Sequence, residues 1–520
     1  MHPRRFAESH PEKAAIVMAE SGKAISYGQL EVEANRGAQL FRSLGLKAGE
    51  KVAFALENSH TLLQFAWAAQ RAGLYFIALS SRLTADEIAY ILADSGARLL
   101  LTSTKLGEAV DRLPQLVSGV ELFMTGDTRS PYRAWDAEVA RCPGTPIDDE
   151  RPGIYMLYSS GTTGRPKGIL PPRPTGAVIE AVEPLCGLVE HMFGGGFDTT
   201  YLCPAPLYHA APLRWSMAIQ RLGGTVVITE KFDPEAVLAA IERYRVTLAQ
   251  FVPTHFVRML NLPQAVRDKY DLASLRVAVH AAAPCPAPIK AQMIEWWGPI
   301  VCEYYAGSEG NGMTFINADE WLERPGSVGR AIYGLIRICG EDGEPLPPRG
   351  QGLVYFEGGD NFAYHNDPEK TASSRNQYGW TSLGDIGWVD EAGYLYLTDR
   401  KSFTIISGGV NVYPQEIENH LIMHPKVADV AVIGAPDPDL GERVVAVVQL
   451  HNMSDAGEAL ATELIAWCRA SLSGVKTPRQ IDFTKNLPRA PTGKLFKREL
   501  RDTYWPATDT PPVRSAEVPD

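Results

Sequence analysis

A chain of 520 residues is too long for a single ordinary hydrophobic core, so roughly two to four subdomains are expected. With 45% hydrophobic and 21% charged residues it has the composition of a folded globular protein, not of a disordered or fibrous one. A formal net charge of −11 argues against a broad polyanion-binding surface, which removes nucleic acid from the expected partners while leaving room for a local basic pocket.

In chain order, Ser26 with Gln29 forms a predicted capping box, after which Leu30, Ala34 and Ala38 recur along one helix face. Val52 to Leu56 is a continuous apolar run of the kind that forms a buried strand, and the next helix carries Leu62, Phe65 and Ala69. Thr84 with Glu87 caps another helix and Leu99 to Leu101 reads as the following strand, which completes a βαβ rhythm. The rhythm resumes after residue 200 with Thr225 to Ile228, a helix from about Pro234 to Tyr244, and Val277 to Val279. Around residues 340 to 360, Gly- and Pro-rich turns separate short apolar runs, as in a small β subdomain. Beyond Asp399-Arg400-Lys401 the pattern changes to strands at Val430 to Ile433 and Val444 to Val448 and a helix from about Glu458 to Leu472.

These elements imply an α/β fold: a large N-terminal domain of layered α/β subdomains plus a small β subdomain, with a smaller, mobile α+β C-terminal domain. The expected divisions are 1–399, 400–505, and a Pro- and acid-rich tail at 506–520 expected to be disordered. Seven cysteines, at 142, 186, 203, 285, 302, 339 and 468, never form a C-x-x-C pair, which points to a reduced, cytoplasmic protein with no zinc module. No apolar run approaches the roughly 18 to 20 residues that cross a bilayer, and Pro3 to Glu8 are not followed by the apolar core of a signal peptide.

Ser159-Ser160-Gly161-Thr162-Thr163-Gly164 is an unbroken run of hydroxyl and glycine residues whose N–H and O–H groups can turn toward phosphate oxygens, with Lys167 adding a charge. It is not a Walker A loop, since Gly493-Lys494 is followed by Leu495 and no other segment fits that pattern. Composition alone favours a plain surface loop. The whole string from Tyr158 to Gly168, however, closely resembles the phosphate loop of the adenylate-forming superfamily, which contains acyl-CoA synthetases, luciferases and peptide-synthetase adenylation domains. The resemblance continues in order through Pro206-Leu207-Tyr208-His209, Tyr305-Ala306-Gly307-Ser308-Glu309 and Gly379 to Asp385. It then runs through Asp399-Arg400-Lys401, Ser407 to Pro414, and Pro488 to Lys494, and so covers nearly the full length.

The resemblance implies activation of a carboxylic acid by ATP and transfer of the acyl group to coenzyme A, with Mg2+ required and AMP as the nucleotide product. It implies that Ser159 to Gly164 and Lys167 hold phosphates, with Ser308 assisting, and that Glu309 is a magnesium ligand and catalytic group. Asp385 and Arg400 would bind the ribose, and Tyr305 with Ala282 and Ala283 would bind adenine. His209 and Tyr208 would gate the acyl or thiol channel, and Gly408 and Gly409 would line the path of the pantetheine arm. Lys494 would bridge the acid's carboxylate and the α-phosphate, with the C-terminal domain turning about a hinge near residue 400 between the two steps. The Pro206 to His209 segment resembles acyl- and aryl-CoA synthetases, which favours coenzyme A over a carrier-protein thiol. A pocket from Ala210 to Trp215 with His255, Phe256 and His280 is expected to take a bulky hydrophobic acid of the fatty, steroid or terpenoid kind. Departures from the pattern are Ser308 for threonine, Ala306 for glycine, and Ser402-Phe403 where charged residues are common at the hinge.

Three alternatives stay open at this point. One half-reaction could dominate. A serine hydrolase could use Ser308 with Asp385 or Asp399 and His420 or His424, because Ala306 to Gly310 imitates a nucleophile elbow. A non-catalytic nucleotide sensor would show erosion at Lys494, Glu309 or Asp385, and none is eroded. Self-association as a homodimer is also left open.

Overall fold

The computed structural model describes residues 2–159, 166–178, 180–181, 183–359, 362–489 and 495–505, with Ser159 described at its backbone only. The expected tail at 506–520 therefore lies outside the described residues, as do Lys494 and Ser160 to Gly164 of the expected site.

The strand expected at Val52 to Leu56 forms at Lys51–Ala55 and becomes an inner member of a six-stranded parallel sheet. Its continuous apolar run is explained by helices covering both faces. Both capping boxes form: Ser26 and Thr84 each accept from the N–H three residues on, while Gln29 and Glu87 reach back to the cap backbone.

A second sheet of 13 strands is parallel over Ala14–Met18, Thr225–Ile228, Thr200–Cys203, Leu248–Phe251, Val277–His280 and Val301–Ala306. It then turns antiparallel and runs on through Ser327–Tyr333 into the turn-rich strands Leu335–Cys339, Gly352–Glu357, Thr381–Val389 and Leu395–Arg400. The small β region thus continues the large sheet, but it keeps a core of its own around Val328, Ile338, Val354, Phe356 and Leu395.

The parallel strands separate two cores. Tyr201, Cys203, Val279 and Tyr304 face one, whereas Leu202, Ala249, Phe251 and Ala278 face the other, as the period-two alternation of strands requires. That alternation corrects part of the expected acyl pocket. Trp215, on the helix Ala210–Arg221, belongs to the first core, while Phe256 belongs to the second. His255 stacks on Phe232 at 3.9 Å, and His280 packs edge-on against Phe256 at 5.3 Å, so both histidines lie on the side away from Trp215. His255, Phe256 and His280 are core residues and cannot share a pocket with the segment Ala210 to Trp215.

Past Arg400 the chain enters a separate sheet made of Ile405–Ser407, Val410–Val412, Val427–Asp437, Gly441–Leu450 and Gln480–Phe483. Helices Pro414–Leu421 and Glu458–Ser471 close its core.

Burial drives His255 down to about 3, and His280 and His2 also sit well below their usual value for the same leading reason. A folded-state pKa below that of the unfolded chain means that the unfolded state binds more protons once the pH drops below about 6.5. Stability is therefore fully present above that pH and is lost as the pH falls. Each histidine steepens the decline by at most about 1.4 kcal/mol per pH unit. Melting curves at pH 7.5 and pH 5 should show a smaller drop for His255→Gln than for the parent, whereas equal drops would contradict this assignment.

Candidate active site

Several of the expected residues lie where parallel strands end at their carboxyl termini, the edge at which open α/β sheets bind ligands. Thr200–Cys203 leads into Pro206 to His209, Val277–His280 into Ala282 and Ala283, and Val301–Ala306 into Ser308 and Glu309. One edge of one sheet thus gathers segments far apart in sequence.

Asp385 and Arg400 are register partners on neighbouring antiparallel strands, so their side chains leave the sheet together. Asp385 is 6% exposed; it accepts a hydrogen bond from the Tyr305 hydroxyl at 2.6 Å and one from Arg400 Nε at 3.0 Å. The carboxylate raises the Arg400 pKa, and burial followed by the same carboxylate keeps the Tyr305 phenol protonated. The structure therefore brings all three together, with the Tyr305 ring resting against Phe356 at 6.2 Å.

Glu309 is half-buried and accepts from the Tyr364 hydroxyl at 2.9 Å. In the same turn, a Cβ at Gly307 would come within 2.1 Å of the Leu383 side chain, which would have to move. Ser308 and Ala306 are both exposed, so neither departure from the family pattern disturbs packing. On either side of the segment expected to bind phosphate, Ser159 pairs with Lys167 and Tyr158 with Gly168 in two antiparallel strands. Lys167 makes an ion pair with Asp367, whose carboxyl is held below its usual range by that ammonium and by the Lys370 N–H. An open cleft of about 430 Å³ adjoins this pair, lined by Tyr364, Asn366, Asp367 and Arg375 among others.

His209 occupies the N-cap position of the helix Ala210–Arg221, its ring 4.4 Å from that of Tyr208. Ala283 is half-buried, and the exposed Ala282 adopts φ +76°, a left-handed backbone that costs an L-residue about 1 kcal/mol. Ala282→Gly is therefore expected to stabilise the protein by about 0.5–1 kcal/mol in urea unfolding, and a destabilisation would contradict the strain.

Gly408 and Gly409, with φ +60° and +78°, form the two-residue turn between Ile405–Ser407 and Val410–Val412. Two successive positive φ values are what a tight hairpin demands. The glycines are thus explained locally, whatever else passes over them. At the domain junction Asp399 accepts from the Gln415 N–H at 3.0 Å in the first turn of the helix Pro414–Leu421. Phe403, the unusual residue there, has its ring 5.3 Å from the Lys497 ammonium, which is paired to Glu418 at 2.8 Å.

The arrangement rules out the hydrolase alternative. Ser308 lies between two strands, Val301–Ala306 and Met313–Ile316, whereas a nucleophile elbow leads from strand to helix. Asp385 and Asp399 are held as above, and His420 and His424 are engaged by the Trp467 carbonyl and by Glu463.

Four contributing residues were not singled out from sequence: Tyr364, Asp367, Asn58 and Asp94. Asn58 donates to the Ala205 and Thr229 carbonyls and accepts from the Leu207 N–H, which pins the His209 segment. Asp94 accepts from the Tyr158 hydroxyl at 2.6 Å. Asp367-Pro368 did carry a legible signal, an N-cap followed by proline at the first helical position. The other three have none, because their partners lie 55 or more residues away.

No group of three or more His, Cys, Asp or Glu suited to a metal occurs among the described residues. The half-buried Glu309 carboxylate nevertheless fits magnesium, which takes one or two protein carboxylates and completes its shell with phosphates and water. Among the described residues no helix is long and apolar enough to cross a membrane, and all seven cysteines are free thiols.

The family model for AMP-binding enzymes matches residues 3–363, and the model for the AMP-binding enzyme C-terminal domain matches residues 416–494. A feruloyl-CoA synthase from an Amycolatopsis species is 34% identical over 507 residues, covering 96% of this chain and 98% of its own. The long-chain-fatty-acid–CoA ligase FadD13 of Mycobacterium tuberculosis is 31% identical over 514 residues, covering 96% and 97%. ATP-bound MatB from Rhodopseudomonas palustris superposes with a TM-score of 0.81 at 28% identity, covering 97% and 99%.

Proposed function

The chain belongs to the AMP-binding enzyme family, and on that premise we propose that it joins a carboxylic acid to coenzyme A through an acyl-adenylate. The observation that carries the reading is the Tyr305–Asp385–Arg400 constellation, set beside Glu309 and the hairpin that ends at Lys167. In the first step a carboxylate oxygen of the acid bonds to the α-phosphorus of ATP, and pyrophosphate leaves with the electrons of the broken P–O bond. In the second, the thiol sulfur of coenzyme A bonds to the acyl carbon, its proton is released, and AMP departs.

The work of the protein in both steps is placing charge and orienting reactants. Asp385, already held by two donors, has carboxylate lone pairs left for the ribose hydroxyls. Tyr305 and Arg400 fix its direction. Lys167 would exchange Asp367 for the nucleotide's outer phosphates, with Ser159, Ser160, Gly161, Thr162, Thr163, Gly164 and Ser308 supplying further donors. Magnesium held by Glu309 would neutralise charge on those phosphates when bound. Ala282 and Ala283 would border the adenine, and His209 would stand at the channel by which acid and thiol enter. Lys494 would neutralise the carboxylate and α-phosphate as they approach. A C-terminal domain beginning near residue 400 would then turn to bring Gly408 and Gly409 to the thiol path. We place the protein in the cytoplasm, where ATP and coenzyme A are found, acting on an acid with an apolar body.

The test separates the two steps. Acid-dependent pyrophosphate release and thioester formation are measured with ATP, Mg2+ and either coenzyme A or a phosphopantetheinylated carrier protein. Both steps should run with coenzyme A. Pyrophosphate release without any thioester would restrict the enzyme to the first half-reaction.

A further inference from the structure

We propose that the far end of the acid is received by a largely apolar chamber with polar groups at Gln70, Glu183 and Arg214, so that the substrate is a compact acid carrying a hydroxyl opposite its carboxylate. The inference rests on the ligase reading above and deepens it.

The helix Ala210–Arg221 starts at His209, and its successive faces meet different surroundings. Trp215, 2% exposed, is stacked between Tyr201 and Tyr304 at 6.1 Å each, with Phe193 at 5.4 Å. Gln250 ties the stack together, donating to the Tyr304 hydroxyl at 2.6 Å and accepting from the Tyr201 hydroxyl at 3.3 Å. Close packing of this kind leaves no space for a long alkyl chain in that direction.

Arg214, Met217 and Arg221 are spaced i, i+3 and i+7, so they share a different face. They line a cavity of about 30 Å³ together with Gln70, Tyr155, Glu183 and the apolar Phe76, Ile154, Pro174 and Ala181. Arg214 is ion-paired to Glu183 at 3.0 Å and lies 4.8 Å over the Tyr155 ring. Gln70 is 1% exposed, and neither its Nε2 nor its Oε1 has a hydrogen-bond partner. A buried amide with both functions unmet calls for a group that donates and accepts at once. The volume holds one or two water-sized groups, which suits a hydroxyl and excludes a hydrocarbon tail. Arg214 lies five residues along the helix from His209, or about 8 Å at 1.5 Å per residue, a span matched by one aromatic ring with a short linker.

The experiment uses the full-length enzyme and acid-dependent pyrophosphate release, with cinnamate, 4-hydroxycinnamate and dodecanoate as probes. KM for 4-hydroxycinnamate should be about tenfold or more below that for cinnamate, and dodecanoate should be the poorest of the three. Gln70→Leu, and independently Gln70→Met, should bring the two cinnamates within about twofold of each other by raising KM for 4-hydroxycinnamate selectively. Equal KM values in the parent, preference for dodecanoate, or variants that weaken both cinnamates alike would overturn the inference and make the chamber a site for structural water only. Those outcomes leave the ligase reading standing. Absence of pyrophosphate release with every acid would overturn that reading and the inference with it.

Discussion

Replacing Lys494 with alanine should abolish acid-dependent pyrophosphate release while sparing thioester formation from supplied acyl-adenylate. In the first step two anions, the carboxylate and the triphosphate, must approach within bonding distance. A cation placed between them cancels repulsion that grows steeply in a water-poor site. Loss of one such group costs on the order of a thousandfold in rate. The second step brings a thiol to a mixed anhydride, where no such pair of anions meets, so a lysine serving only the first step should be dispensable there. The assignment comes from the resemblance of Pro488 to Lys494 to the family pattern, since Lys494 lies outside the described residues. Equal loss of both steps would refute the division of labour.

Asp385→Asn should raise KM for ATP by about ten- to a hundredfold while changing KM for the acid little. The asparagine keeps the size of the side chain and one acceptor but loses the charge that makes its hydrogen bonds strong, a difference of about 1.5–3 kcal/mol. It also leaves Arg400 without its anionic partner at 3.0 Å. A kinetic split between the two substrates separates this role from a structural one, because a general loosening of the strands Thr381–Val389 and Leu395–Arg400 would damage both KM values. Unchanged KM for ATP would remove Asp385 from the nucleotide site.

Parts of the candidate site were legible in the sequence as local patterns. A two-glycine turn and an Asp–Pro helix start are solved by neighbouring residues, so each leaves a compact pattern in the sequence. Asp385, Arg400 and Tyr305 were identified individually, but that Tyr305 donates to Asp385 depends on strands 80 residues apart meeting in one sheet. Tyr364, Asn58 and Asp94 were missed because a single polar residue in an ordinary context carries no periodic signal. The expected acyl pocket went wrong in the same way: His255, Phe256 and His280 have suitable side chains, yet strand alternation sends them to the opposite core from Trp215.

The α/β rhythm and the capped helices were legible from propensity, periodicity and short-range hydrogen bonds, and the family from the resemblance of its spaced motifs. Tertiary packing decided that Trp215 and Phe256 fall in opposite cores, that Trp215 stacks between Tyr201 and Tyr304, and that Gln70, Glu183 and Arg214 line one cavity. Those outcomes depend on segments distant in sequence meeting in space, such as Gln70 and Arg214 on the wall of one cavity, and no local pattern encodes which distant side chains meet.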